Sequence, residues 1–155
     1  MIHAGKLLWQ IVKIVFGYGL ALAAAGLFLA WGLFQPQGIE ADPARFAATI
    51  WTGAVSGMVI GGMAAVPAFA AIAVAEILRV KSMILNLAAG GLIAFGLWSL
   101  GEPGVTAGEP ALRPGTSVAL AAGFVAGFVY WLIAGRTAGN WRLERKAAQQ
   151  GESGE

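Results

Sequence analysis

The chain contains no cysteine and a single histidine, His3. The first absence excludes disulfides, thiolate metal sites and a cysteine nucleophile. The second leaves every apolar stretch without a histidine ligand, which excludes a bis-histidine cytochrome and a paired-histidine metal site. Charge is also scarce. Only 12% of the 155 residues are Asp, Glu, Lys or Arg, and 58% are hydrophobic. A soluble domain usually carries about a quarter of its residues charged, so water is not the only solvent expected here. The net charge of +2 is small and spread over several segments. That gives no basic patch for nucleic acid. Neither Gly61-Gly62 nor Gly90-Gly91 is followed by Gly-Lys-Ser/Thr, so no nucleotide-phosphate loop, and hence no primary pump, is expected.

What is present is apolar sequence in four long runs, and a length that suits one domain. Ile14 to Phe34 carries no charge and, at about 1.5 Å per residue, is long enough for a ~30 Å hydrocarbon core. It is too long for a cleavable leader, and Trp31-Gly-Leu-Phe-Gln-Pro36 is a poor cleavage site, so it reads as an uncleaved anchor. Residues Ile2 to Lys13 extend it by an interfacial turn or two. Asp42-Pro43 is an N-cap and first-turn signal for a second helix. Its run from Ala47 to Leu78 amounts to roughly 48 Å of helix; it must tilt, bend or protrude, and Pro67 predicts a kink. The third and fourth runs are Met83 to Leu100 and Thr116 to Ala134.

The expected fold is all-α: a polytopic membrane protein with four transmembrane helices in an up-down bundle. The single domain covers residues 1–146, with spans at about 14–34, 47–78 (kinked near Pro67), 83–100 and 116–134. A loop without regular structure covers 101–115, a short interfacial helix 141–146, and an unstructured tail 147–155. Neither an inverted nor a parallel repeat is expected between the two halves.

Charge orients the chain. Lys6, Lys13, Arg79, Lys81, Arg136, Arg142, Arg145 and Lys146 fall on one side, and only Arg45 and Arg113 on the other. The excess of basic residues predicts that both termini are cytoplasmic. Trp31, Trp51 and Trp98 fall at outer ends of spans, and Trp9, Trp131 and Trp141 at or near inner ends, as aromatic belts do. The Ala/Gly-rich composition suggests a bacterial inner membrane.

Each span carries small residues on one face. Gly53, Gly57 and Gly61 stripe the second, and Gly123 and Gly127 the fourth. Small residues let helix backbones approach closely where lipid supplies no hydrophobic drive. These stripes predict packing within the bundle, or contact with a partner, for which the second span is the better candidate. Glu76 and Asn86 fall at similar depth either side of the turn at 79–82. They are expected to form a polar cluster with Arg79, three residues after Glu76. Thr49, Thr52 and Ser56 are expected to satisfy helix carbonyls. No nucleophile–base pair, metal cluster or paired carboxylate lies inside a span, so neither an enzyme nor a cofactor is expected. The expected function is a non-catalytic accessory or assembly subunit. Its partners would be the lipid bilayer and a larger membrane complex or a homo-oligomer. The alternative is an oligomeric small transporter or channel using the cluster near Glu76 and Asn86.

Overall fold

The computed structural model describes residues 4–34, 42–100 and 115–139. They form α1 (Ala4–Phe34), α2 (Pro43–Leu78), α3 (Met83–Leu100) and α4 (Thr116–Ile133), followed by a 3-10 turn at Gly135–Thr137. All four α-helices are long and apolar enough to cross a membrane. Most of the loop expected at 101–115, the short helix at 141–146 and the tail at 147–155 lie outside the described residues.

Local chemistry sets the helix ends. Asp42 is extended (φ −153°), and its carboxylate accepts from the Arg45 amide at 2.9 Å, with Pro43 opening α2. This is the N-cap that Asp42-Pro43 predicts. At the other end Arg79 adopts φ 56°, and the Val80 amide closes onto the Ala75 carbonyl at 2.8 Å. α1 starts earlier than Ile14, because nothing between Ala4 and Lys13 breaks a helix. α2 has 36 residues and continues through Pro67 without a break. α1 braces it on both sides of the proline. Tyr18 donates its hydroxyl to the Gly61 carbonyl at 2.6 Å, and its ring lies 5.0 Å from that of Phe69.

The interior is made of small residues. Ala21, Ala64, Ala119, Ala122 and Ala134 are buried, whereas Val66, Trp51 and Met58 are 80%, 74% and 73% exposed. That is the distribution expected where lipid replaces water around the perimeter and backbones meet at the centre. Gly26 of α1 sits between Gly53 and Gly57 of α2. A Cβ added at Gly53 would lie 2.9 Å from the Ala30 Cβ and 3.0 Å from the Gly26 carbonyl oxygen; one at Gly57 would lie 2.7 Å from the Leu22 carbonyl oxygen. The two helices therefore run antiparallel at backbone contact.

α3 and α4 cross in the same way at the corresponding glycines. Gly90 sits between Gly123 and Gly127. A Cβ at Gly123 would lie 2.5 Å from the Gly90 carbonyl oxygen and 2.6 Å from the Ala94 Cβ, and one at Gly127 would meet the Asn86 carbonyl. Leu22, Gly26 and Ala30 thus correspond to Asn86, Gly90 and Ala94, and Gly53 and Gly57 to Gly123 and Gly127. The sequence follows. Ala24-Ala25-Gly26 and Ala30-Trp31-Gly32-Leu33 align with Ala88-Ala89-Gly90 and Ala94-Phe95-Gly96-Leu97. Gly53-Ala-Val-Ser-Gly-Met-Val59 aligns with Gly123-Phe-Val-Ala-Gly-Phe-Val129. The expectation of unrelated halves is therefore wrong. Loops of unequal length and Ala-for-Ser or Phe-for-Trp exchanges hide a repeat that the backbone contacts expose.

The repeat is broken in one place. α1 packs closely on α4, with Gly17 against Ile133 and Ala134 and Gly32 against Val118. The equivalent seam, between α2 and α3, is only loosely packed. Gly96, the counterpart of Gly32, has nothing within 4 Å of its Cβ position. Gly57→Ala and Gly127→Ala should each destabilise the bundle by about 1–3 kcal/mol through overpacking. Gly62→Ala, where a Cβ meets nothing within 4 Å, should not destabilise it. Thermal unfolding of the three variants in one detergent checks this.

Candidate functional site

Two features stand out, a polar tie at the end of the bundle that carries the α2–α3 turn, and the crevice that the loose α2–α3 seam leaves.

The tie is built on Glu76, in the last turn of α2. Its Oε1 accepts from the Gln10 Nε2 at 2.6 Å and its Oε2 from the Gly139 amide at 2.8 Å. The Thr137 hydroxyl reaches the Gln10 Oε1 at 3.2 Å and the Ala134 carbonyl at 3.0 Å. One carboxylate thereby joins α1, α2 and the chain following α4. Gln10 is 8% exposed, so its amide would be costly to leave unpaired. Hydrogen bonds of this kind are worth about 0.5–1.5 kcal/mol each.

Of the polar residues anticipated as a cluster, the structure keeps Glu76 and separates its partners. Asn86 donates to the Ser82 carbonyl at 2.8 Å and packs beside Gly135. Among the described residues it makes no hydrogen bond to Glu76. Arg79 lies with its side-chain carbons over Gly139, and no ion pair joins it to Glu76 among the described residues. The residues that do meet Glu76 were missed. Gln10 lies seven residues before Gly17, on the same face of α1, and that spacing is the signal that marks it as inward. Gly139 continues the four-residue spacing of Gly123, Gly127 and Gly135 beyond the fourth span, but that spacing does not point to Glu76.

The glycines are placed clearly. Gly53 and Gly57 contact α1, Gly61 lies against the Leu22 side chain, and Gly123 and Gly127 contact α3. Their faces are occupied within the chain. Thr49 is buried and donates to the Arg45 carbonyl at 2.9 Å, the carbonyl-satisfying role expected for it. Trp131 donates its indole N–H to the Lys81 carbonyl at 2.8 Å and lies under the Arg136 guanidinium at 6.0 Å. It fastens the turn at 79–82 to α4.

The crevice has a volume of about 610 Å³, within the ~300–1,000 Å³ of small-molecule pockets. It runs from Val80, Asn86 and Tyr130 at the turn end to Leu29, Trp98 and Ala119 at the other. Its walls are otherwise alanine, glycine, leucine, isoleucine, valine and methionine, with Tyr18 on the α1 side. Such a surface offers dispersion contacts and no acid–base chemistry.

No protein-family model, curated protein or solved structure matches the chain.

Glu76→Ala removes the acceptor for Gln10 and Gly139 together, so it should cost about 1–3 kcal/mol of stability. Hydrogen exchange at the Gly139 amide should quicken while exchange at the glycine crossings stays slow. Unchanged exchange at Gly139 would show that the tie does not hold that end closed.

Proposed function

We propose that the protein is a non-catalytic integral membrane protein, an accessory or assembly subunit that packs against a larger membrane complex or against itself. It sits in the cytoplasmic membrane of a bacterium as an up-down bundle with both termini in the cytoplasm. Support for that orientation comes from Lys13, Arg79, Lys81 and Arg136, which gather at the turn end, while Arg45 starts α2 at the opposite end.

The observation that carries the subunit reading is the outward face of α2. The stripe of Gly53, Gly57 and Gly61 is taken up by α1, so a partner needs another surface. Gly62 points away from the bundle with open space around its Cβ position. Val55, Met58, Val59 and Val66 surround it, 44–80% exposed. A glycine costs a helix about 0.5–1 kcal/mol relative to alanine and gains nothing from lipid contact. A notch in a helix face lets a second helix approach closely, and the flexible side chain of Met58 adapts to an incoming surface. A small transporter or channel working through Glu76 and Asn86 has less support. The Glu76 carboxylate is engaged by Gln10 and Gly139, and the crevice walls are mainly apolar.

Gly62→Trp tests the reading, because the bundle has room for the new side chain and a docked helix does not. In mild detergent the native chain should elute with a stoichiometric partner or as a homo-oligomer, and Gly62→Trp should elute alone with unchanged helicity. A native chain that is monomeric and free of partners would overturn the proposal.

A further inference from the structure

We infer that the crevice between α2 and α3 is a binding site for one anionic phospholipid of the surrounding bilayer. One acyl chain lies between the helices, and the phosphate sits at the basic turn. The site is separate from the outward face of α2 and does not depend on a protein partner.

Shape comes first. The crevice follows α3 from Leu85 to Trp98, roughly 20 Å at 1.5 Å per residue. Half of a ~30 Å hydrocarbon core is about 15 Å, so a full chain from one leaflet fits along it. A volume of about 610 Å³ drawn out over that length suits a slender, flexible chain. Ala68, Ala71 and Ala89 give the walls depth, and Ile60, Met63 and Ile93 line them. An apolar gap of this size between helices loses dispersion contacts unless something fills it, and hydrocarbon is the filling a bilayer supplies.

Charge complementarity selects the headgroup. Val80 lines the turn end of the crevice, and Lys81 follows it in sequence, whereas the Arg79 side chain lies over Gly139 beside the Glu76 tie. Arg136 is held at the same end, because it lies over Trp131, whose indole is bonded to the Lys81 carbonyl. The acid of this region, Glu76, is turned toward Gln10 and Gly139.

Two polar groups mark the level of the ester linkages. Tyr130 lines the crevice, and a lipid ester carbonyl would accept from its hydroxyl. Asn86 lines the same level, and its amide already donates to Ser82.

The test uses the full chain reconstituted in vesicles of equal phosphatidylcholine and phosphatidylglycerol, released into the gas phase and weighed by native mass spectrometry. The native chain should retain one phospholipid, with phosphatidylglycerol favoured on the order of tenfold, as basic residues at a membrane surface imply. Lys81→Gln combined with Arg136→Gln should retain a lipid without that preference. Ala68→Phe with Ala89→Phe fills the crevice and should retain none while melting no lower than the native chain. Should the filled variant not fold, Tyr130→Phe takes its place, with retention expected to fall several-fold. Retention of the two lipids in bilayer proportion by the native chain, or undiminished retention by the filled variant or by Tyr130→Phe, overturns the proposal.

Discussion

Everything in this structure depends on how close two backbones come at a glycine. Lipid tails are as apolar as leucine, so the helices gain little by hiding apolar side chains from them. Cohesion comes from dispersion and weak Cα–H contacts at short range, and those need the Cβ atoms out of the way. Gly26 between Gly53 and Gly57, and Gly90 between Gly123 and Gly127, supply that twice. The alanines of the interior, the large side chains of the perimeter and the reach of Tyr18 to the Gly61 carbonyl follow from those two crossings.

The two hairpins are alike, and their joining is not. On the α1–α4 side the meeting residues include Gly17, Ala21, Gly32 and Ala134, small enough for close contact. On the α2–α3 side Ile60, Met63, Leu85 and Ile93 line the gap, and the helices stay loosely packed despite a turn of only a few residues. One seam is zipped, and the Glu76 tie to Gln10 and Gly139 secures it where α1, α2 and the end of α4 converge. The other seam is left as a crevice beneath a cationic turn.

Much of the fold was legible in the sequence. Uncharged runs give the spans, Asp42-Pro43 gives the start of α2, and the four-residue spacing of glycines marks the faces that pack. The spacing does not say which faces meet. Gly53 reads the same whether α1 or a partner covers it, so the pairing of hairpins became visible only with Gly26 seated against it. The site was less legible. Glu76 stood out because a carboxylate near a span end is rare. Its partners come from positions 66 and 63 residues away, and no local pattern reaches that far. The crevice had no sequence signal, because it lies at a seam whose existence depends on the pairing.

The asymmetry of the two seams is the central claim, and the lack of native cysteine makes it directly measurable by paired cysteines in a bilayer. A Cβ at Gly17 would lie 3.5 Å from that of Ala134, inside the ~3.5–4.5 Å of disulfides. Gly17→Cys with Ala134→Cys should therefore oxidise readily across α1–α4, while Ala68→Cys with Ala89→Cys, across the crevice, should stay reduced. Ready oxidation of the second pair, or failure of the first, would contradict a bundle zipped on one side and open on the other.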